Sequence, residues 1–110
     1  MIVSEGKVEH ALKILADKDG VASAARAAHE YESDLIKVVK AQIMTRCNEK
    51  SIAAREMFAL AHPDYKAHLE RVQILAEQDY HHRDRRAAAT AVIDAWRTEQ
   101  SNNRAHGRVG

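Results

Sequence analysis

Residues 21–47, VASAARAAHEYESDLIKVVKAQIMTRC, run without a glycine or proline. Within them Val21, Ala24, Ala28, Tyr31, Leu35, Val38 and Gln42 recur in steps of three and four residues. That spacing is a heptad-like seam, one apolar stripe along one helix. The stripe begins with small side chains and ends with large ones, so a partner helix is expected to approach closely near Ala24 and Ala28. Glu30, Glu32 and Asp34 precede Lys37, Lys40 and Arg46, the order that complements the helix dipole. At about 1.5 Å per residue the helix would be roughly 40 Å long.

A second stretch, from Tyr65 to about Ser101, is equally free of breakers and would reach roughly 55 Å as one helix. Its apolar residues gather at its two ends, with Tyr65, Leu69, Val72, Leu75 and Ala76 first and Ala89, Val92, Ile93 and Trp96 later. Between them lies the polar segment Asp79 to Arg86. Such a segment is a solvated stretch, a polar layer that fixes register, or a binding surface.

Shorter helices flank these two. Val8, Leu12 and Leu15 mark one over Val8 to Lys18, closed by Asp19-Gly20. After a connection at Asn48 to Ser51, Ser51 caps a helix over Ile52 to Ala61. His62-Pro63 ends that helix, and Asp64 is placed to cap the next. The expected fold is all-α: an extended antiparallel hairpin of two long helices with short flanking helices. Residues 1–101 form a single helical domain, and 102–110 a flexible basic tail. Two helices cover only one side of each other, so coiled-coil-like self-association is expected. Its interface residues are Ala24, Ala28, Tyr31, Leu35, Val38, Ile93 and Trp96, Trp96 being a residue of the core or of a subunit contact.

Composition supports this class and narrows the functions. Hydrophobic residues make up 45% of 110, but twenty of them are alanine, which suits a thin core between helices. Four glycines and one proline are too few for a many-turned β chain. Lys and Arg number 17 against 16 Asp and Glu, so any nucleic-acid surface must be local. The lone Cys47 permits neither an intrachain disulfide nor a cysteine-based zinc site, and a cytosolic compartment fits best. No apolar run suits a membrane span, and the first ten residues lack the apolar stretch of a signal peptide.

The seven histidines show none of the His-x-x-x-His, Glu-x-x-His or His-Glu-x-x-His spacings that hold metals on helices. No Gly-rich phosphate loop, serine elbow or paired-carboxylate motif stands out. The chain is therefore expected to be no enzyme and to carry no metal or cofactor. The basic features are more informative. Arg83, Arg85 and Arg86 stand against Asp84 alone between Tyr80 and Arg86, with His81 and His82 able to add charge beside a phosphate. Tyr80 offers a ring that can stack on a base. Arg97, Arg104 and Arg108 face only Glu99 after Trp96. A solvated helix face followed by a soluble tail is the other reading of these residues. In a ring or bundle, symmetry would join such patches into a basic track with strongly salt-dependent binding.

Tyr65 after the turn, the segment through Tyr80, and Ala95-Trp96-Arg97-Thr98 with Asn102, Asn103 and Arg104 give the chain a layout. That layout resembles small helical proteins encoded in phage recombination and replication clusters, and in outline the UvsY type of recombination mediator. The resemblance implies a homo-oligomer in the bacterial host cytoplasm that binds single-stranded DNA. It also implies a recombinase, annealing protein or single-strand-binding protein as partner. It favours Arg83, Arg85, Arg86, Arg97 and Arg104 as DNA contacts, to which Tyr80 and His82 are added from the residues themselves. The balanced net charge favours another class, an interaction module that modulates a host nuclease or polymerase without touching DNA. A virion or packaging component built on a helical hairpin is a third reading.

Overall fold

The computed structural model describes the backbone of residues 3–109 and the side chains of 3–107. The side chain of Arg108, counted above with the basic C-terminal segment, lies outside the described residues. The protein is all-α: α1 (Glu5–Ala16), α2 (Val21–Asp34), α3 (Ile36–Met44), α4 (Ile52–Ala61) and α5 (Pro63–Val109).

Local chemistry sets the ends of these helices. Ser4 caps α1, its hydroxyl accepting from the Lys7 N–H at 3.2 Å. The helix ends at Ala16, before the expected Lys18, because Asp17 takes the left-handed conformation at φ 46°. The Asp17 carboxylate then turns to α2, accepting from the N–H groups of Ala22 at 3.0 Å and Ser23 at 3.1 Å. Gly20, at φ 69°, supplies the second left-handed step between the helices. Thus Asp17 both closes one helix and caps the next. Ser51 caps α4 as its position implies, accepting from the Ala54 N–H at 3.2 Å.

Asp64 is not the cap of α5. The helix begins one residue earlier, at Pro63, whose missing N–H costs nothing in a first turn. The capping acceptor is the His62 ring, whose Nδ1 takes the Asp64 N–H at 3.0 Å. Asp64 instead sits in the first turn and binds Arg46 at 2.8 Å. At its other end α5 continues through residues 102–109, where the sequence suggests a tail, and Gly107 does not interrupt it.

The single long helix expected over Val21 to Cys47 is divided at Leu35 into α2 and α3. Leu35 keeps right-handed dihedrals with ψ flattened to −8°, and the bonds Leu35 N–H to Tyr31 O and Val39 N–H to Leu35 O survive at 3.1 and 2.9 Å. Ser33 and Asp34 precede the break, residue types whose short polar side chains compete with helical backbone bonds.

The seam on these helices is also displaced by one residue. The better-covered residues are Ala22, Ala25, His29, Glu32, Ile36, Val39 and the fully buried Ile43. Each follows by one position the seam read from the sequence. Val21, Ala24, Tyr31, Val38 and Gln42 are exposed, while Ala28 and Leu35 lie half-buried at the edge.

Contacts cluster in two units, residues up to Ser23 with those from Tyr80 onward, and Ala24–Asp79. In the first unit α1 runs antiparallel to its part of α5. The Val3 N–H donates to Glu99 Oε2 at 2.7 Å at one end, and Arg86 reaches the carbonyls of Ile14 and Leu15 at the other. Val3, Val8, Ala11, Ala89 and Ile93 are buried between them, with Ile14, Leu15, Val92, Ala95 and Trp96 packed around. Ile93 and Trp96, expected at a subunit interface, thus contribute to the core of their own chain.

In the second unit α3 packs on α4, and Ile43 and Ala59 are buried. There α2 lies antiparallel to the first part of α5, joined by polar contacts. His29 meets Asp79, while Glu32 meets Arg71 and His68 nearer the start of α5.

Candidate nucleic-acid interface

In the first unit, Lys7, His10 and Lys13 are three residues apart and follow one side of α1. The segment of α5 beside them carries His82, Arg85 and Arg86. Between the two opens a cleft of about 530 Å³. Its basic lining is Lys13, Lys18, Arg85 and Arg86, with His10 and His82; Asp17 and Asp19 are its acids, and Ile14, Val21 and Ala22 complete the wall. Four fixed cations against two carboxylates leave an excess of two positive charges, and protonated imidazoles would raise it.

Asp17 subtracts its full charge in this count. Its carboxylate is held below the usual value of 3.8, chiefly by the N–H groups of Ala22 and Ser23, then by the Ser23 hydroxyl and the Arg86 charge. It stays ionised, and it holds the start of α2 while lining the cleft. Arg86 is half-buried and also has a structural task. Its Nη1 donates to Ile14 O at 3.3 Å and Leu15 O at 3.2 Å, covering carbonyls that the end of α1 leaves without helical partners. Arg85 is exposed.

A smaller groove of about 270 Å³ adjoins the cleft. Ala11 and Ile14 of α1 and Ala88, Ala89 and Val92 of α5 make it apolar, and Lys7 stands at its rim. His10, Ile14 and Arg85 line both cavities.

The residues singled out from the sequence are thus divided. His82, Arg85 and Arg86 come together in the cleft. Tyr80 and Arg83 do not line it; they are exposed and engage each other, the guanidinium carbon 5.5 Å from the ring centroid. Arg97 and Arg104 are exposed and do not line it either. The cations of α1 escaped the sequence reading because they alternate with Glu5 and Glu9. Their three-residue spacing was the available signal.

The second unit holds a polar cluster of another kind. Asp79 is 1% exposed and accepts from or pairs with His29 Nδ1 at 2.8 Å. His68 Nε2 lies 2.8 Å from Glu32 O, and Arg71 Nε lies 3.1 Å from Glu32 Oε1. These groups pair with one another, and the exposed Arg71 closes the cluster on its outer side. Among the described residues no group of three or more His, Cys, Asp or Glu is placed to hold a metal ion. No described helix is long and apolar enough to cross a membrane. Comparison with protein-family models, curated proteins and solved structures finds no match.

Proposed function

We propose that this chain is a non-enzymatic accessory protein of phage-type DNA recombination or replication that binds single-stranded DNA as a homo-oligomer. The observation that carries the DNA-binding part is the cleft in which His82, Arg85 and Arg86 meet Lys13 and Lys18. Flexible cations converging on an open groove suit a phosphate backbone. The recombination setting, with a recombinase, annealing or single-strand-binding protein as partner in a bacterial host cytoplasm, rests on the UvsY-like layout. Self-association rests on the stripe of Tyr31 and Val38, 63% and 45% exposed. Fluorescence anisotropy of labelled single- and double-stranded oligonucleotides across a salt series tests the reading. The expected result is a single-strand preference that falls steeply with salt; no binding at low salt would overturn it.

A second reading, a module that docks on a host nuclease or polymerase without contacting DNA, is favoured by α4. That helix leaves Ile52, Met57 and Leu60 at 70%, 67% and 48% exposure. A dominant host protein that co-purifies after nuclease treatment, together with no DNA affinity, would support it.

A further inference from the structure

The proposed DNA binding accounts for the basic cleft but not for the apolar groove that opens beside it. We infer that this groove, floored by Ala11, Ile14, Ala88 and Val92, seats a single unpaired base of a strand whose phosphate lies against Lys13 and Arg85. The inference rests on the DNA-binding reading and deepens it by naming what the protein recognises in a single strand.

Two properties fix the occupant. The first is charge complementarity. The groove itself is apolar, yet it continues at His10 and Arg85 into a cleft with an excess of positive charge. A ligand filling both must join a small apolar-faced group to an anion a few bonds away, and a nucleotide is such a ligand. The ring faces then meet methyl and methylene groups, while the ring edge reaches the imidazole and guanidinium donors at the junction. The second property is length. The apolar stretch of α5 runs from Ala88 to Val92, about 6 Å along the axis. An amphipathic partner helix needs anchors at i, i+4 and i+7, spread over roughly 10 Å. One ring fits the shorter span. A base in a duplex is stacked on both faces and would have to leave the helix first, so the same groove selects unpaired strands.

The test compares labelled oligothymidine with an abasic deoxyribose-phosphate chain of equal length, on the wild type and on Ala88→Leu. Ala88 is exposed, and leucine at this helical position fills the groove without changing charge. The abasic chain should bind the wild type about tenfold more weakly, with the same salt slope, because the phosphates are unchanged. Ala88→Leu should reduce oligothymidine affinity to the abasic level and leave the abasic chain unaffected. Equal wild-type affinity for the two ligands would overturn base seating while leaving DNA binding standing. So would an equal fall for both ligands in an Ala88→Leu protein with an unchanged thermal melt. Binding of neither ligand would overturn the DNA-binding reading itself.

Discussion

His29 on α2 and Asp79 on α5, fifty residues apart in sequence, meet through Nδ1 and Oδ2 at 2.8 Å with the aspartate side chain 2% exposed. A carboxylate at this depth needs its hydrogen-bond partners, because desolvation without them costs more than the bond itself returns. The contact therefore sets which face of α2 turns toward α5. Replacing His29 by leucine removes one partner of a buried acid and should destabilise the chain by about 1–3 kcal/mol in urea unfolding. In a double-mutant cycle, His29→Leu and Asp79→Leu should together cost less than the sum of the two singles. Strict additivity would show that the pair does not hold the two helices in register.

Asp17 gives the fold a defined acid response. Its folded pKa lies below the 3.8 of an ordinary aspartate, mainly through the N–H groups of Ala22 and Ser23. A depressed folded pKa means stability that is present above the unfolded value and is lost as pH falls through the folded one. The start of α2 should thus stay capped at pH 5 and loosen only below 3.8. The amide shifts of Ala22 and Ser23 in an NMR pH titration should share a midpoint below 3.8. A midpoint at or above that value would count against the cap.

Arg85 and Arg86 are neighbours with separable roles. Exposed Arg85 lines the cleft and the adjoining groove and has no hydrogen bond to the backbone of α1 comparable to those of Arg86, so Arg85→Ala should weaken single-strand binding and lower the salt slope by about one without altering the thermal melt. Arg86 also donates to Ile14 O and Leu15 O, so Arg86→Ala should weaken binding and lower the melting temperature as well. Equal melts for the two variants would show that the Arg86 contacts do not support the end of α1. Lys13→Ala, on the opposite wall, should resemble Arg85→Ala.

The stripe left outside the chain's own packing is the surface expected to self-associate. Tyr31→Lys with Val38→Lys places two charges on it and touches neither Ile43 nor the His29–Asp79 contact. Sedimentation should show the dissociation constant of the oligomer raised by about a hundredfold or more, with the helical spectrum unchanged. An unaltered assembly would direct attention to the exposed Met57 and Leu60 of α4 instead.

Much of this was legible locally. The bounds of α4 follow from Ser51 at one end and His62-Pro63 at the other, and both signals act through the nearest few residues. The absence of Gly and Pro from Tyr65 to Ser101 leaves that stretch of α5 unbroken, and the helix then carries on through Gly107. Three of the arginine and histidine positions placed at the candidate site, His82, Arg85 and Arg86, were visible as a basic cluster. Their companions Lys13 and Lys18 were not, because only the packing of α1 on α5 brings them across the cleft.

What the sequence determined by itself was that the chain is helical and where the capped or proline-marked ends fall, at Ser51 and His62-Pro63, since capping and proline effects are set within a turn; the division at Leu35 and the run of α5 past residue 101 carry no such local signal. The tertiary structure decided which face of residues 21–47 turns inward. Apolar periodicity favoured the stripe through Tyr31 and Val38, whose side chains are largely apolar. The chain instead turns inward the adjacent stripe, which carries the half-buried His29 and Glu32, because Asp79, Arg71 and His68 on α5 bond them. A buried polar group is as acceptable as an apolar one only when its partner is present, and that partner is tens of residues away.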